Sequence, residues 1–211
     1  MEPTKYHRTY HVPWSEGSTS DDKTLSNLLH FENKEIVLTE KMDGENTSLY
    51  TSYSHARGIN SNSHPSRNHI KVLQSRLSCE LPNDLKLIGE NMFARHSIYY
   101  DNLEAYFLLF AVQNESGIIY SWDDIVLWAN LLDLKTVPVL YRGLFNLDLI
   151  TNFHKTLDTT KQEGFVIRVA DSYHIDDSSL SIAKWVRANH VQSDQHWMHQ
   201  AVQQNKLRGS L

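Results

Sequence analysis

The sequence predicts an α+β fold built on largely antiparallel sheets with flanking helices. Segments of strand and helix character are mixed along the chain, without the regular alternation that produces a parallel βαβ sheet. The glycine-rich fingerprints of Rossmann and P-loop nucleotide sites do not occur in the sequence. The 211 residues, 40% of them hydrophobic, are expected to form a single compact domain.

Eight segments have the β-branched, aromatic or short apolar runs that favour strands. In the first, the apolar run Ile36–Thr39 leads into Lys41 and then into a tight turn at Asp43-Gly44. A second strand follows this turn. The predicted strands lie near residues 36–41, 46–53, 85–93, 106–113, 117–121, 137–141, 163–170 and 180–187.

Helices are predicted where apolar residues recur at helical spacing. Asp123 and Asp124 favour a helix start because acidic side chains stabilise the first turn. The turn-rich segment 13–22 is expected to be a loop, followed by a short helix over 24–31. The longer helices are predicted near residues 68–79, 122–133, 147–156 and 194–205.

Composition excludes several classes of protein. The net charge of −5 argues against a protein that coats nucleic acid non-specifically, which requires many lysines and arginines. No apolar stretch approaches the length that spans a bilayer, so no membrane partner is expected. The single cysteine, Cys79, excludes an intramolecular disulfide and favours a reducing setting. We expect a cytoplasmic protein that acts as a monomer.

Lys41 is the first candidate for chemistry. At the end of a strand, before a tight turn, a lysine can point into a cleft rather than into solvent. A lysine is a good nucleophile only when neutral, and burial or neighbouring cations lower its pKa. The tetrapeptide Lys41-Met42-Asp43-Gly44 alone also fits an ordinary solvated turn.

Further charged or aromatic residues stand in or beside the predicted strands downstream. Arginine suits bidentate contact with phosphate, carboxylates accept ribose hydroxyl hydrogen bonds, and an aromatic ring can stack on a purine. Each position also has an ordinary interpretation as a surface, strand-end or core residue. These candidates are Arg57, Glu90, Phe110, Glu163, Lys184 and Arg187.

Taken in order, these elements resemble the motif set of the covalent nucleotidyltransferases, which include ATP-dependent RNA and DNA ligases and mRNA capping enzymes. Within that superfamily the chain resembles the RNA ligase family that includes the phage-type nick-sealing enzymes. The resemblance covers roughly residues 36–190. It implies a single adenylyltransferase domain over 1–211 without an OB domain. Residues 1–35 would form an extension, 36–190 the motif-bearing core and 191–211 a helix or tail.

The resemblance also implies roles for the motif residues. Lys41 would attack the α-phosphorus of ATP and hold AMP as a phosphoramidate. Glu163 would act on a Mg²⁺ or Mn²⁺ ion near the reacting phosphate. Lys184 would contact the α-phosphate and keep Lys41 neutral by charge repulsion. The other implied nucleotide-binding residues are Glu40 for the adenine, Asp43 and Gly44 in the turn, Arg57 and Glu90 for ribose and phosphate, Phe110 for stacking, and Arg187.

The chain departs from the family pattern at two places. Ala111 follows Phe110 where nick-sealing relatives often have aspartate. The last motif is commonly Lys-x-Lys, whereas Arg187 comes three residues after Lys184, which would place it on the opposite strand face unless a bulge intervenes. A basic surface for RNA on the helix carrying Arg67, Lys71 and Arg76 is a further interpretation, against a solvated helix face.

We therefore expect an ATP-dependent RNA ligase. It would join 3′-hydroxyl and 5′-phosphate ends of RNA through a lysyl-AMP intermediate and an adenylylated 5′ end. The alternatives are a DNA ligase, a GTP-dependent capping-type enzyme, and a non-catalytic domain that binds a nucleotide or RNA.

Overall fold

The computed structural model describes residues 1–188 and 202–209. Its α-helices are α1 (Asn68–Leu77), α2 (Trp122–Leu131) and α3 (Leu147–Phe153). Its strands are β1 (Tyr10–His11), β2 (Glu35–Lys41), β3 (Glu45–Leu49), β4 (Ser54–Ala56), β5 (Leu85–Asn91), β6 (Phe107–Asn114), β7 (Ile118–Ile119), β8 (Lys135–Thr136), β9 (Val139–Leu144), β10 (Gly164–Val169), β11 (Tyr173–His174) and β12 (Ile182–Val186).

The strands form two sheets. One has the order β1-β12-β10-β2-β9, and the other has the order β11-β7-β6-β5-β3-β4 with β8 beside β6. Strand pairs are antiparallel except β1 with β12 and β6 with β8. The fold is therefore mostly β, with mixed sheets and flanking helices, as the sequence predicted.

The turn that follows Lys41 connects the two sheets. Strand β2 lies in the first sheet and β3 in the second, so the chain crosses between them at residues 42–44. Lys41 therefore ends its strand where the sheets come together, and not at the tip of a solvated hairpin.

Two apolar clusters hold these layers together. In one, Ile70 of α1 and Ile125 of α2 pack with Leu87 and Leu109 of the second sheet. In the other, residues of β2, β10 and β12 pack with Ile88, Ala111 and Ile119 of the second sheet. Burial of this apolar area is the main force that fixes the sheets relative to each other.

The helix predictions had mixed outcomes. Helix α2 begins as predicted, and the Ser121 hydroxyl caps it by accepting the Asp124 amide hydrogen bond at 3.2 Å. The helix expected over 24–31 is wrong, because only Leu29–Phe31 form a single 3₁₀ turn there. The helix expected over 147–156 ends as an α-helix at Phe153 and continues as a 3₁₀ turn.

The predicted helix over 194–205 falls largely outside the described residues. Its part at 202–205 is not helical, because backbone groups there pair with another segment: Arg95 donates to the Gln203 carbonyl at 2.7 Å. The Asn205 side chain, 1% exposed, donates to the Met92 carbonyl at 2.8 Å and accepts from the Tyr100 amide at 3.0 Å. Residues 202–209 thus pack against the segment 92–103.

The strands that sequence reasoning missed are short. Strands β1, β4, β8 and β11 have two or three residues each, too few for a recognisable alternation. Within the described part of the chain, no helix is long and apolar enough to cross a membrane.

Candidate active site

A cavity of about 660 Å³ collects residues from both sheets. This volume is in the range of small-molecule binding sites. Most of the site residues predicted from sequence line it, and three others, Asp43, Glu163 and Arg187, are described below by their contacts. The lining residues among the predicted set are Glu40, Lys41, Gly44, Arg57, Glu90, Phe110 and Lys184.

Lys41 pairs with Glu163. Strands β2 and β10 are antiparallel neighbours, with Gly164 opposite Lys41, so the residue before Gly164 reaches the lysine. The Lys41 ammonium donates to Glu163 Oε2 at 2.5 Å. Glu163 is 4% exposed, whereas the Lys41 side chain keeps 25% of its surface accessible. The buried carboxylate of Glu163 therefore contacts the Lys41 amine, and Lys41 remains accessible from the cavity.

Neighbouring carboxylates control the pKa of Lys41. Burial lowers the pKa of Lys41, but the charge and hydrogen bond of Glu163, with the charge of Asp43 and that of Glu90 when it is ionised, outweigh burial and raise that pKa above its usual value. The expected depression of the Lys41 pKa by Lys184 is thus wrong for this structure. In the free protein Lys41 is an ammonium, and it must lose a proton before it can act as a nucleophile.

Glu90 and Gly44 line the cavity beside Lys41 and are hydrogen-bonded to each other. The Gly44 amide donates to Glu90 Oε1 at 3.2 Å. A Cβ at Gly44 would lie 2.6 Å from the Asn91 carbonyl oxygen, so this close approach of the backbone to β5 requires glycine. Burial, with the nearby charge of Glu163, raises the pKa of Glu90 to about 8, although Lys41 opposes the shift. Glu90 is then largely a neutral carboxyl group at neutral pH.

Asp43 holds the turn that carries Lys41. Its Oδ2 accepts hydrogen bonds from the Ser97 amide at 2.8 Å, the Ser97 hydroxyl at 2.7 Å and the Ile98 amide at 2.7 Å. The Asp43 amide donates to the Tyr100 hydroxyl at 3.1 Å. The carboxylate of Asp43 is thus directed at the 97–98 backbone and fixes the Lys41 turn.

Arg187 comes just after the end of β12, so strand alternation no longer fixes its direction. Its guanidinium donates to the Ser97 hydroxyl at 3.4 Å, and its amide donates to the Glu163 carbonyl at 3.0 Å. Arg187 therefore contacts the same serine that Asp43 binds. No contact here assigns it to the nucleotide.

Lys184 and Arg57 supply cations on another side of the cavity. Lys184 lies on β12 opposite Val166, and Arg57 is exposed on the loop after β4. Burial first, and then the charge of Lys41, lowers the pKa of Lys184 to about 8. Two cations on separate elements can bind an anionic group placed between them.

Glu40 and Phe110 lie where apolar strands meet the cavity. Gln162 Nε2 donates to Glu40 Oε2 at 3.0 Å, and burial raises the pKa of Glu40. Phe110 is an extra residue in β6, because Ile88 pairs with Ala111 and Gly89 with Leu109. This bulge changes the alternation of the strand, and Phe110 lines the cavity.

Several cavity-lining residues were not predicted. Tyr6 and His7 come from a segment far from the motifs, and no local signal pointed to them. Arg168 lines the cavity at 2% exposure and donates to the Phe110 carbonyl. Arg168 could have been predicted as a site residue, because it interrupts the apolar run of β10 and charged residues are rarely buried without a partner.

The three basic residues anticipated from sequence as an RNA-binding surface all donate hydrogen bonds within the molecule. Arg67 precedes α1 and binds the Glu45 carboxylate through two nitrogens. Arg76 donates to the Leu132 carbonyl at 2.9 Å, and Lys71 donates to the Ser63 hydroxyl. Lys71 and Arg76 are both exposed, whereas Arg67 is half-buried in its ion pair with Glu45.

The carboxylates near Lys41 fit a hard divalent cation only in part. Within residues 1–188 and 202–209, no three histidine, cysteine, aspartate or glutamate side chains form a ready-made metal cluster. Mg²⁺ commonly needs only one or two carboxylates when substrate phosphates complete its shell. Glu163 and Glu90, which both interact with Lys41, match that requirement in type and number.

A comparison with protein-family models identifies the family of the chain. A model of the family described as RNA ligase matches residues 34–186. This match spans β2 to β12 and all the predicted site residues except Arg187. A search of curated proteins found no match.

Solved structures share the fold. A mutant of the Naegleria gruberi RNA ligase with ATP and Mn aligns with a TM-score of 0.55 at 17% identity, over 89% of this chain and 62% of that one. The same enzyme with PPi gives 0.55 at 18% identity, over 90% and 62%. An archaeal ATP-dependent RNA ligase gives 0.56 at 11% identity, over 89% and 49%. The chain thus spans about three fifths or less of the length of these proteins.

Proposed function

The chain belongs to the RNA ligase family, and on that premise we propose that it is an ATP-dependent RNA ligase. It forms a lysyl-AMP intermediate on Lys41, transfers AMP to a 5′-phosphate of RNA and joins that end to a 3′-hydroxyl. The adenylyltransferase site is built from residues of one chain, so activity is expected of a monomer.

The observation that carries the proposal is the position of Lys41. Its amine opens on a cavity of nucleotide size and lies 2.5 Å from the buried carboxylate of Glu163. An ordinary solvated turn would give this lysine neither a cavity nor a buried carboxylate partner. These two features support a chemical role for Lys41 over the interpretation of residues 41–44 as an ordinary solvated turn.

In the first step Lys41 Nζ forms a bond to the α-phosphorus of ATP, and the bond to pyrophosphate breaks. In the second step an oxygen of the RNA 5′-phosphate takes the AMP, and Lys41 leaves. In the third step the 3′-hydroxyl attacks the activated 5′-phosphate, and AMP departs. Each step is an in-line phosphoryl transfer, which depends mainly on positioning and charge neutralisation.

Lys41 must give up one proton before the first step. Glu163 Oε2 lies at hydrogen-bond distance from that proton, so the path for its removal is in place. A bound Mg²⁺ or Mn²⁺ ion would neutralise phosphate charge and compete with Lys41 for the carboxylate of Glu163, which lowers the pKa of Lys41. In this proposal Lys184 and Arg57 bind phosphate oxygens and Phe110 stacks on the adenine, which is supported by their position in the cavity lining.

The test is the mass of the intact protein after incubation with Mg²⁺ and ATP, with GTP in parallel. The wild-type protein should gain one AMP, because Lys41 forms a stable phosphoramidate. The Lys41→Ala variant should gain nothing. The Lys155→Ala variant is the control, since Lys155 is an exposed lysine that contacts only Asn152 in its hydrogen bonding, and it should behave as wild type.

The remaining outcomes separate the alternatives. An adduct of GMP instead of AMP would favour capping chemistry. Sealing of nicked DNA in preference to nicked RNA would favour a DNA ligase. Absence of any adduct on folded protein, freed of nucleotide carried over from expression, would contradict the enzyme proposal and favour a binding domain.

A further inference from the structure

Residues 1–9, called the strap here, cross from one sheet to the other and form part of the cavity wall. Tyr6, His7, Arg8 and Thr9 all line the cavity. Immediately after them β1 pairs with β12, and its His11 lies opposite Lys184. The strap therefore ends beside one of the predicted phosphate-binding residues.

A buried lysine anchors the other end of the strap. Lys86 on β5 is 0% exposed, and its ammonium donates to the Thr4 hydroxyl at 2.6 Å and to the Thr4 carbonyl at 3.3 Å. The Thr4 amide donates to the Tyr50 hydroxyl at 3.0 Å. A buried ammonium is costly unless it is hydrogen-bonded, so these oxygens tie Thr4 firmly to the second sheet.

Between its two anchors the strap presents Tyr6 to Phe110. The two ring centroids are 5.4 Å apart at an interplanar angle of 64°, an edge-to-face contact. The centroid of the His7 ring lies 4.1 Å from that of the Tyr6 ring, so the two neighbouring residues of the strap pack against each other. The Tyr6 and Phe110 rings are thus steeply inclined to each other, and both border the cavity.

We propose that the strap is a wall of the nucleobase pocket, with Tyr6 contacting the purine and Lys86 acting as a positioning residue through Thr4. This inference rests on the proposed function, because it assumes that Phe110 stacks on the base of the nucleotide. A planar purine on the face of Phe110 then meets the Tyr6 ring at its edge. Tyr6 fixes the in-plane position of the base, and the strap fixes Tyr6.

The proposal explains why Lys86 is a lysine at a position where the strand interior is otherwise apolar. Its neighbours Leu85, Leu87 and Ile88 are all buried hydrophobic residues. An aliphatic side chain would satisfy the packing of β5, but it would leave the Thr4 hydroxyl without the Lys86 donor and the Thr4 carbonyl with only the longer hydrogen bond from the Tyr50 hydroxyl at 3.4 Å. The hydrogen bonds of the Lys86 ammonium are therefore directed at the strap.

The test measures the rate of lysyl-nucleotide formation as a function of nucleotide concentration. ATP is compared with ribose 5′-triphosphate, which has the same phosphates but no base. The variants are Tyr6→Ala, Tyr6→Phe, Lys86→Met and Thr4→Val, with Lys155→Met as an exposed lysine control. Thermal unfolding of each protein checks that it is folded.

Loss of an aromatic contact should raise the KM for ATP about tenfold in Tyr6→Ala and leave the maximal rate unchanged. Tyr6→Phe should behave as wild type, because the ring is retained. Lys86→Met should raise the KM for ATP in the same direction, and adding Thr4→Val to it should have little further effect. None of these variants should change the KM for ribose 5′-triphosphate.

Three results would overturn the proposal. The first is an unchanged KM for ATP in Tyr6→Ala. The second is an equal rise in the KM for ATP and in the KM for ribose 5′-triphosphate, which would indicate a general structural defect. The third is a lower KM for ATP in Tyr6→Ala, which would mean that the strap obstructs the base. If wild type forms no adduct, the proposed function fails, and equilibrium binding of ATP then makes the same comparison without chemistry.

Discussion

Lys41 and Lys184 line one cavity, yet their surroundings move their pKa values in opposite directions. Around Lys41 neighbouring acidic groups, Glu163 foremost, outweigh burial and raise the pKa. Around Lys184 burial and the cations Lys41 and Arg57 lower the pKa to about 8. The difference shows that the residue type alone does not decide which lysine is neutral, because the balance of neighbouring charge does.

This contrast describes a site at rest. With Lys41 protonated, the amine that we propose as the nucleophile is in its unreactive form in the free protein. Because the pKa of Lys184 is about 8, its ammonium group loses its proton more easily than an ordinary lysine does. Arrival of the nucleotide adds negative charge near both lysines, which favours the protonated form of each.

The largest expected effect comes from removing the carboxylate on the Lys41 side. Glu163→Gln keeps the shape of the buried side chain but removes its charge. We expect lysyl-AMP formation to slow by at least about 100-fold, as for loss of an acid–base or charge-stabilising group. The pKa of Lys41 should fall, so the residual rate should reach its plateau at lower pH than in wild type.

Single-turnover kinetics across pH measure both effects. A variant as fast as wild type would exclude a chemical role for Glu163. A variant faster than wild type would mean that Glu163 only restrains Lys41. Glu80→Gln is a suitable control because Glu80 is an exposed glutamate in a loop outside the cavity.

The second prediction concerns the strand junction that keeps the two lysines apart. Gly164 lies opposite Lys41 on β2 and opposite Val186 on β12. A Cβ at Gly164 would lie 2.0 Å from the Trp185 carbonyl oxygen, so alanine must displace β12. We expect Gly164→Ala to reduce the free energy of unfolding by about 1–3 kcal/mol, the usual cost of overpacking.

Urea unfolding measures this loss, and Gly58→Ala is the matched control. A Cβ at Gly58 meets nothing within 4 Å, so its unfolding free energy should stay close to that of wild type. Equal stability of the two variants would contradict the close approach of β10 and β12.

The third prediction is the pH dependence of nucleotide binding, which is small at neutral pH and develops only above about pH 8. As pH rises through about 8, Lys184 loses its positive charge and Glu90 gains a negative one. Both changes disfavour a triphosphate, so the KM for ATP should rise above this pH. The limiting slope should approach two in a plot of log KM against pH, since two protons are involved.

The Lys184→Met variant separates the two groups. Only Glu90 would remain to titrate, so the slope should fall to about one, and the KM at neutral pH should already be raised. A slope of two in this variant would show that Lys184 does not titrate in the free protein. Lys155→Met again supplies the control for loss of a lysine far from the cavity.

The sequence predicted the motif residues better than their environment. Lys41, Glu90 and Lys184 were recognisable as charged residues in or at the end of apolar strands, whereas Phe110 was singled out only by the resemblance to the family's ordered motifs, and all four line one cavity. The direction of the Lys41 pKa was wrong, because it depends on distances to carboxylates contributed by other strands. Spacing along the chain does not contain those distances.

The strap was not predictable for a different reason. Tyr6 and His7 stand in a polar, aperiodic segment, and their place in the cavity depends on Lys86, which is 80 residues from Tyr6 in sequence. The bulge that directs Phe110 is likewise a property of paired strands and not of β6 alone. By contrast, the start of α2 was predictable because capping is local.

The hydrogen bonds of Asp43 set a limit on how far the chain can be shortened. Asp43 binds Ser97 and Ile98, Tyr100 binds the Asp43 amide, and the Tyr100 amide binds Asn205. The recognisable motifs end near Arg187, so a fragment cut there would retain every motif. It would nonetheless lack the buried amide that supports the nucleophile loop from behind. If the proposed adenylation occurs, we expect the minimal active fragment to be defined by Asn205 and not by the last motif, and protease trimming should preserve adduct formation only while residues 202–209 stay attached.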